Sequence, residues 1–151
     1  MKLAEALSIR KDLMKRIAQL QSRLQNNVKV QEGDTPLEDP AALMAELDKC
    51  LSQLEDYVYR INATNMQVLN ARGETLTQLM ARRDVLTMRV AALRNVFTTA
   101  SESQNRYSQS EIKMVTVVDV RKLGKQIDDL SARLRELDIE IQSLNFSADL
   151  I

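Results

Sequence analysis

Apolar residues recur at steps of three and four along most of this chain, and the clearest run lies near its end. Leu123, Ile127, Leu130, Leu134, Leu137, Ile141 and Leu144 form an unbroken heptad seam. That is the pattern with which one long helix packs along another. Three earlier segments repeat the theme. The first runs from about Lys2 to Asn27, with Leu3, Ala6, Leu13, Ile17, Leu20 and Leu24 as its stripe. Leu7, Ile9 and Met14 widen that stripe, so this helix is expected to touch more than one neighbour. The second carries Leu43, Leu47, Cys50, Leu54, Val58 and Ile61, and its pattern fades over Asn62 to Asn65. The third carries Leu76, Leu79, Leu86, Val90, Leu93 and Phe97, with Arg83 where an apolar residue would otherwise sit.

Polar stretches separate these helices. VKVQEGDTPLEDP reads as a loop punctuated by Gly33, Pro36 and Pro40. Asp39 is placed to cap the second helix, and Pro40 suits a first helical position, where no N–H is needed. Met66 to Leu69 reads as a short extended piece, followed by a turn at Arg72 and Gly73. Thr75 with Gln78 fits a capping box opening the third helix. SESQNRYSQSE, residues 101–111, reads as a loop. IKMVTVV, Ile112 to Val118, is β-branched and semi-alternating, which predicts a strand. A lone strand is unstable in water, so it is expected to pair with Met66 to Ala71 or with the same strand of another subunit. Asp119 is placed to cap the last helix.

The predicted fold class is all-α. Long antiparallel helices form a bundle or stacked helical hairpins, with a short β-hairpin or paired strand, in a single helical domain over residues 1–151. At 1.5 Å per residue each helix would be roughly 33–39 Å long.

Composition agrees with this. The chain is 44% apolar with only three Gly and two Pro, so a real core is available and helix breakers are few. Lys and Arg number 21, as do Asp and Glu. The charges are segregated. Residues 1–30 carry seven basic and two acidic side chains, and residues 31–59 carry one basic and eight acidic. Such alternation suggests segments that neutralise one another by antiparallel packing. Nucleic-acid binding through the basic first segment is the rival reading, which overall neutrality opposes. Cys50 stands alone and in apolar rhythm with Leu43, Leu47 and Leu54, so a small buried hydrophobe is expected rather than a reactive thiol. The first sixteen residues have no uninterrupted apolar core and are not read as a signal peptide. No apolar run approaches membrane-spanning length. The expected location is the cytoplasm.

The chemistry on offer is sparse. The chain has no His, which removes the usual general base near neutral pH and the commonest metal ligand. One Cys cannot build a thiolate metal site, and three isolated Gly residues make no phosphate loop. No catalytic residue, metal or cofactor is therefore expected. The carboxylates of the last helix flank its seam and read as a solvated face. The one polar cluster inside an apolar helix is ARRD, Ala81 to Asp84. A seam arginine needs a partner or a path to solvent. A structural ion pair fixing helix register is the leading reading of Arg83. An anion or small-ligand site made with Arg72, Arg106 or Ser110 is the alternative.

The chain also resembles a bacterial family whose members often bear the name septicolysin. The resemblance spans nearly the whole length. It rests on MKLAEAL, VQEGDTPLEDP, INATN, ETLTQLMARRDVL, RYSQSEIK with TVVDV, and LRELDIEIQSLNF. It implies a helical protein of unestablished activity, and the name implies a thiol-activated cytolysin. The sequence itself displays neither a membrane-active surface nor a reactive-looking cysteine. The resemblance carries no catalytic residue to transfer. It marks Asn62, Asn65, Arg72, Arg82, Arg83, Asp84, Arg106, Ser110 and Glu111 as candidates for a shared polar site. The expected function is that of a non-enzymatic, self-associating structural or interaction protein. A homo-oligomer, dimer or higher, is expected, with a further protein partner as an open alternative.

Overall fold

The computed structural model describes residues 1–102 and 112–151. Four helices succeed one another: α1 (Leu3–Asn27), α2 (Pro40–Gln67), α3 (Leu76–Ser101) and α4 (Val120–Ser147). The described residues contain no strand, only the isolated bridges Lys2↔Asp149 and Leu69↔Thr75. Contacts divide the chain into two compact units, Met1–Leu76 with Leu144–Ile151, and Thr77–Ser143.

In the first unit α1 and α2 form an antiparallel hairpin. The stripes of both helices meet in a cluster of Leu20, Leu24, Leu43 and Cys50, with Leu13, Ile17 and Leu47 packed against it. Cys50 is thus a packing residue. Charge follows the same register. The Arg16 guanidinium reaches Glu46, its Nε lying 2.9 Å from Oε1, and Arg23 reaches Glu38, its Nε lying 3.0 Å from Oε2. The basic first segment therefore meets the acidic second one.

The connecting loop is held by Asn27, which is buried. Its Nδ2 donates to the Arg23 carbonyl at 2.8 Å, and its Oδ1 accepts from the Glu38 N–H at 2.9 Å. Asp39 caps α2 as expected, accepting from the Ala41 N–H at 3.1 Å, with Pro40 at the first helical position.

The same unit holds a clasp that joins residues far apart in sequence. The Leu3 N–H donates to the Ala148 carbonyl and the Leu150 N–H to the Met1 carbonyl, each at 2.9 Å. The Lys2 ammonium lies 2.9 Å from Asp149 Oδ1 and donates to the Ser147 carbonyl at 2.9 Å. Thr64, fully buried, donates its hydroxyl to the Arg60 carbonyl at 2.8 Å and accepts the Ile151 N–H at 3.1 Å.

The end of α2 departs from expectation. The helix does not fade at Asn62 to Asn65 but runs through Gln67, and the Val68 N–H still reaches the Thr64 carbonyl at 2.9 Å. Met66 is therefore helical, not extended. The chain then makes a tight turn: the Asn70 N–H donates to the Glu74 carbonyl, and Asn70 Oδ1 accepts from the N–H groups of Arg72 and Glu74. Gly73 takes φ +78°, where a Cβ would be strained. Leu69 and Thr75 form an isolated antiparallel bridge across the turn, with the Leu76 N–H donating to the Val68 carbonyl at 2.9 Å.

In the second unit α3 and α4 form another antiparallel hairpin. Val90, Ile127 and Leu130 are buried together, with Leu86, Leu93, Phe97 and Leu123 against them. Asp119 caps α4, accepting from the Lys122 N–H at 3.0 Å. Gly124 lies beneath the Phe97 ring: a Cβ there would sit 3.2 Å from Phe97 Cε2.

The expected paired strand is not found. Residues 112–118 lie outside any helix and enter no β-bridge, so the short β-hairpin read from the sequence is corrected to an irregular segment. β-branched residues favour a strand only where another edge receives their N–H and C=O groups. No such edge reaches this segment among the described residues. The Thr116 hydroxyl ties it to α3, donating to the Ala100 carbonyl at 2.8 Å.

Candidate functional site

Among the described residues of the second unit, an open groove of about 700 Å³ lies between the end of α3 and residues 114–118. Asn95, Val96, Thr99, Ala100 and Glu102 line one side, and Met114, Val115 and Val117 contribute to the other. The tether from Thr116 to Ala100 spans it. The segment is strongly exposed: Ile112 at 90%, Val115 at 67% and Val117 at 92%.

An apolar stripe leads into this groove. Val85, Met88 and Val96 of α3 are exposed although their neighbours Leu86, Val90 and Leu93 face the core. At 100° per residue, Val85, Met88, Ala92 and Val96 share one face of the helix. The helix is thus apolar on two sides, one packed and one open. The signal for the second stripe lay in the sequence, in apolar positions outside the seam.

A smaller hollow of about 360 Å³ lies at the α1–α2 loop, lined by Asn26, Asn27, Asp34 and Thr35 among others. Its floor is engaged in holding the loop, through Asn27 to Arg23 and Glu38.

The polar residues singled out from the sequence fall in different places. In the first unit Asn62 is exposed on α2, and Asn65, one turn on, is buried. Arg72 lies in the turn after α2, its Nε 3.0 Å from Glu74 Oε2. In the second unit Arg82 is exposed on α3. Arg83 and Asp84 are brought together, with Arg83 Nη2 2.8 Å from Asp84 Oδ1. The Arg83 side chain keeps 30% of its surface exposed, so a seam arginine carries its charge to solvent along an apolar stem. Arg106, Ser110 and Glu111 lie outside the described residues. Sequence reasoning missed the two buried asparagines Asn27 and Asn145 and the Lys2–Asp149 clasp.

Two ion pairs of the first unit perturb the charges of their members. The hydrogen bond from Arg23 holds the Glu38 carboxyl below the usual carboxylate range, and Lys2 does the same for Asp149. Arg23 is raised by its bond to Glu38. These are ion pairs at a packing surface or clasp, not groups tuned toward neutrality as an acid–base catalyst would be. Among the described residues no group of three or more Cys, Asp or Glu could hold a metal ion. No helix among them is long and apolar enough to cross a membrane.

Fold and site together define an all-α protein of two helical hairpins, one of which presents an open groove lined by both apolar and polar side chains. A family model described as a family of unknown function, DUF6847, matches residues 10–150, and the chain belongs to that family. It is similar to a solved crystal structure of a functionally unknown conserved protein from Corynebacterium diphtheriae. The two are 36% identical, with a TM-score of 0.90 over 100% of this chain and 99% of that one. No curated protein matches. Neither the family description nor that structure carries the septicolysin name, which is therefore not supported.

Proposed function

We propose that this is a non-enzymatic interaction protein that works by associating with itself, in the cytoplasm. One observation carries the reading. The second unit exposes apolar side chains on one face of α3, at Val85, Met88 and Val96, and again along residues 112–118, with a groove between the end of α3 and that segment. Isolated exposed apolar residues are ordinary, but clusters of them mark interaction surfaces. The absence of His from all 151 residues and the carboxylate partners of the arginines favour a packing protein over a reaction centre.

The same pairs weigh against the rival readings. Arg72 and Arg83 are each bonded to a carboxylate close by in sequence, which supports a structural ion pair over an anion site. Arg16 and Arg23 are met by Glu46 and Glu38, which removes part of the basic surface that phosphate binding would use.

Absolute mass by light scattering, at low and at high salt, tests the proposal. The expected result is a salt-stable multiple of 17.2 kDa, because apolar contacts are not screened by ions. A monomer at every protein concentration would refute it.

A further inference from the structure

We propose that two copies join through residues 113–119, paired as antiparallel strands about a two-fold axis at Thr116. The inference rests on the proposed self-association and names its surface and its geometry.

Four observations converge. The IKMVTVV run has strand-forming residues but no strand partner among the described residues. Its side chains are exposed throughout. Neither Val115 nor Val117 enters a hydrogen bond within the described chain, so their N–H and C=O groups form a short free edge, the template on which strands add. Finally, residues 114–118 of the run are bracketed by opposite charges, Lys113 and Asp119, both exposed.

The bracketing selects the occupant and the direction. Antiparallel pairing centred on Thr116 sets Lys113 opposite the partner's Asp119, Val115 opposite the partner's Val117, and Thr116 opposite the partner's Thr116. Met114 falls opposite the partner's Val118, an apolar pair, and the other three are of a favourable kind: opposite charge, β-branched on β-branched, hydroxyl on hydroxyl. Parallel pairing in register would instead stack Lys on Lys and Asp on Asp. A second copy is self-complementary here, and a two-fold axis closes the assembly at a dimer.

Backbone alternation then assigns the bonds. Val115 and Val117 form hydrogen-bonded pairs with the partner's Val117 and the partner's Val115, giving four main-chain bonds. Thr116 sits at the non-bonded position between them, where facing Cα atoms approach about 4.5 Å. The Thr116 side chain bonds to α3 at Ala100, and strand alternation in the pair would set residues 113, 115, 117 and 119 on the face opposite Thr116.

The test uses the full chain. Thr116→Cys places two thiols at the axis within disulfide range. Mild oxidation should yield a covalent dimer, while native Cys50 stays buried. Ile112→Cys is the register control: its two copies would lie eight residues apart, roughly 26 Å at 3.3 Å per residue, and should not cross-link. Val115→Pro removes a required N–H in a segment outside the helices, and should halve the mass seen by light scattering. Lys113→Glu, which sets acid against acid, should weaken the dimer at low salt.

A wild-type oligomer that ignores Val115→Pro and fails to cross-link through Thr116→Cys overturns the strand pairing but leaves self-association standing. Equal cross-linking at positions 112 and 116 also overturns it. A wild-type monomer overturns both.

Discussion

Replacing Gly124 with alanine sets helix propensity against one contact, and the structure supplies both terms. Gly124 lies inside α4, where alanine is favoured over glycine by about 1 kcal/mol. Its new Cβ, however, would stand 3.2 Å from Phe97 Cε2 and 4.0 Å from Cδ2 and Cζ. Ordinary carbon contacts lie near 3.5–4.0 Å, so the ring must retreat by a few tenths of an ångström. Phe97 is only half-buried but packs on Val90, Ile127 and Leu130. The displacement should therefore fall at the low end of overpacking costs, about 1 kcal/mol. Gly124→Ala alone is then close to neutral. In a Phe97→Ala background the clash is gone and the same substitution should stabilise by about 1 kcal/mol. Urea denaturation of the four proteins of this cycle, followed by helical circular dichroism, measures the coupling directly, expected at about 1 kcal/mol. If alanine adds the same stability in both backgrounds, Phe97 does not press on Gly124, and the α3–α4 register is wrong.

Two further outcomes test the first unit. Asp39→Ala should destabilise by about 1 kcal/mol in urea, through loss of the α2 cap, whereas Asp39→Asn, which can cap equally well, should not. The depressed Glu38 carboxyl favours the folded state once it is ionised, above about pH 4.3, and that contribution is lost as the pH falls through its lower folded value. Urea midpoints of wild type and Glu38→Gln should therefore differ at pH 7 and converge in acid. A gap that persists unchanged in acid would remove the Arg23–Glu38 pair as its cause.

Much of the helical architecture was legible in the residues because the relevant signals are local. The heptad seam of α4 needs only its own spacing to declare a buried face, and Ile127, Leu130, Leu137 and Ile141 are indeed buried. Asp39 and Asp119 act within three residues of themselves, so their caps could be read directly. The segregation of charge between residues 1–30 and 31–59 even anticipated the Arg16–Glu46 and Arg23–Glu38 pairs. Arg83 was legible as an arginine in need of a partner. That the partner is adjacent Asp84, and that the stem reaches solvent, required the packed helix.

What only the tertiary structure decided are relations between distant residues. Thr64 meets Ile151, and Lys2 meets Asp149, across chain separations that leave no periodic trace. The end of α2 was misread because Asn62, Thr64 and Asn65 have weak helix propensity, while buried Thr64 and Asn65 and the continuing hydrogen-bond ladder hold that turn helical. The misreading of residues 112–118 has the complementary cause. A strand is completed by a neighbour rather than by its own residues, so β-branched composition specifies only the capacity to pair. A helix closes its hydrogen bonds within itself, and its sequence suffices to announce it; a strand's bonds lie with another segment, and only the folded arrangement shows whether one is there.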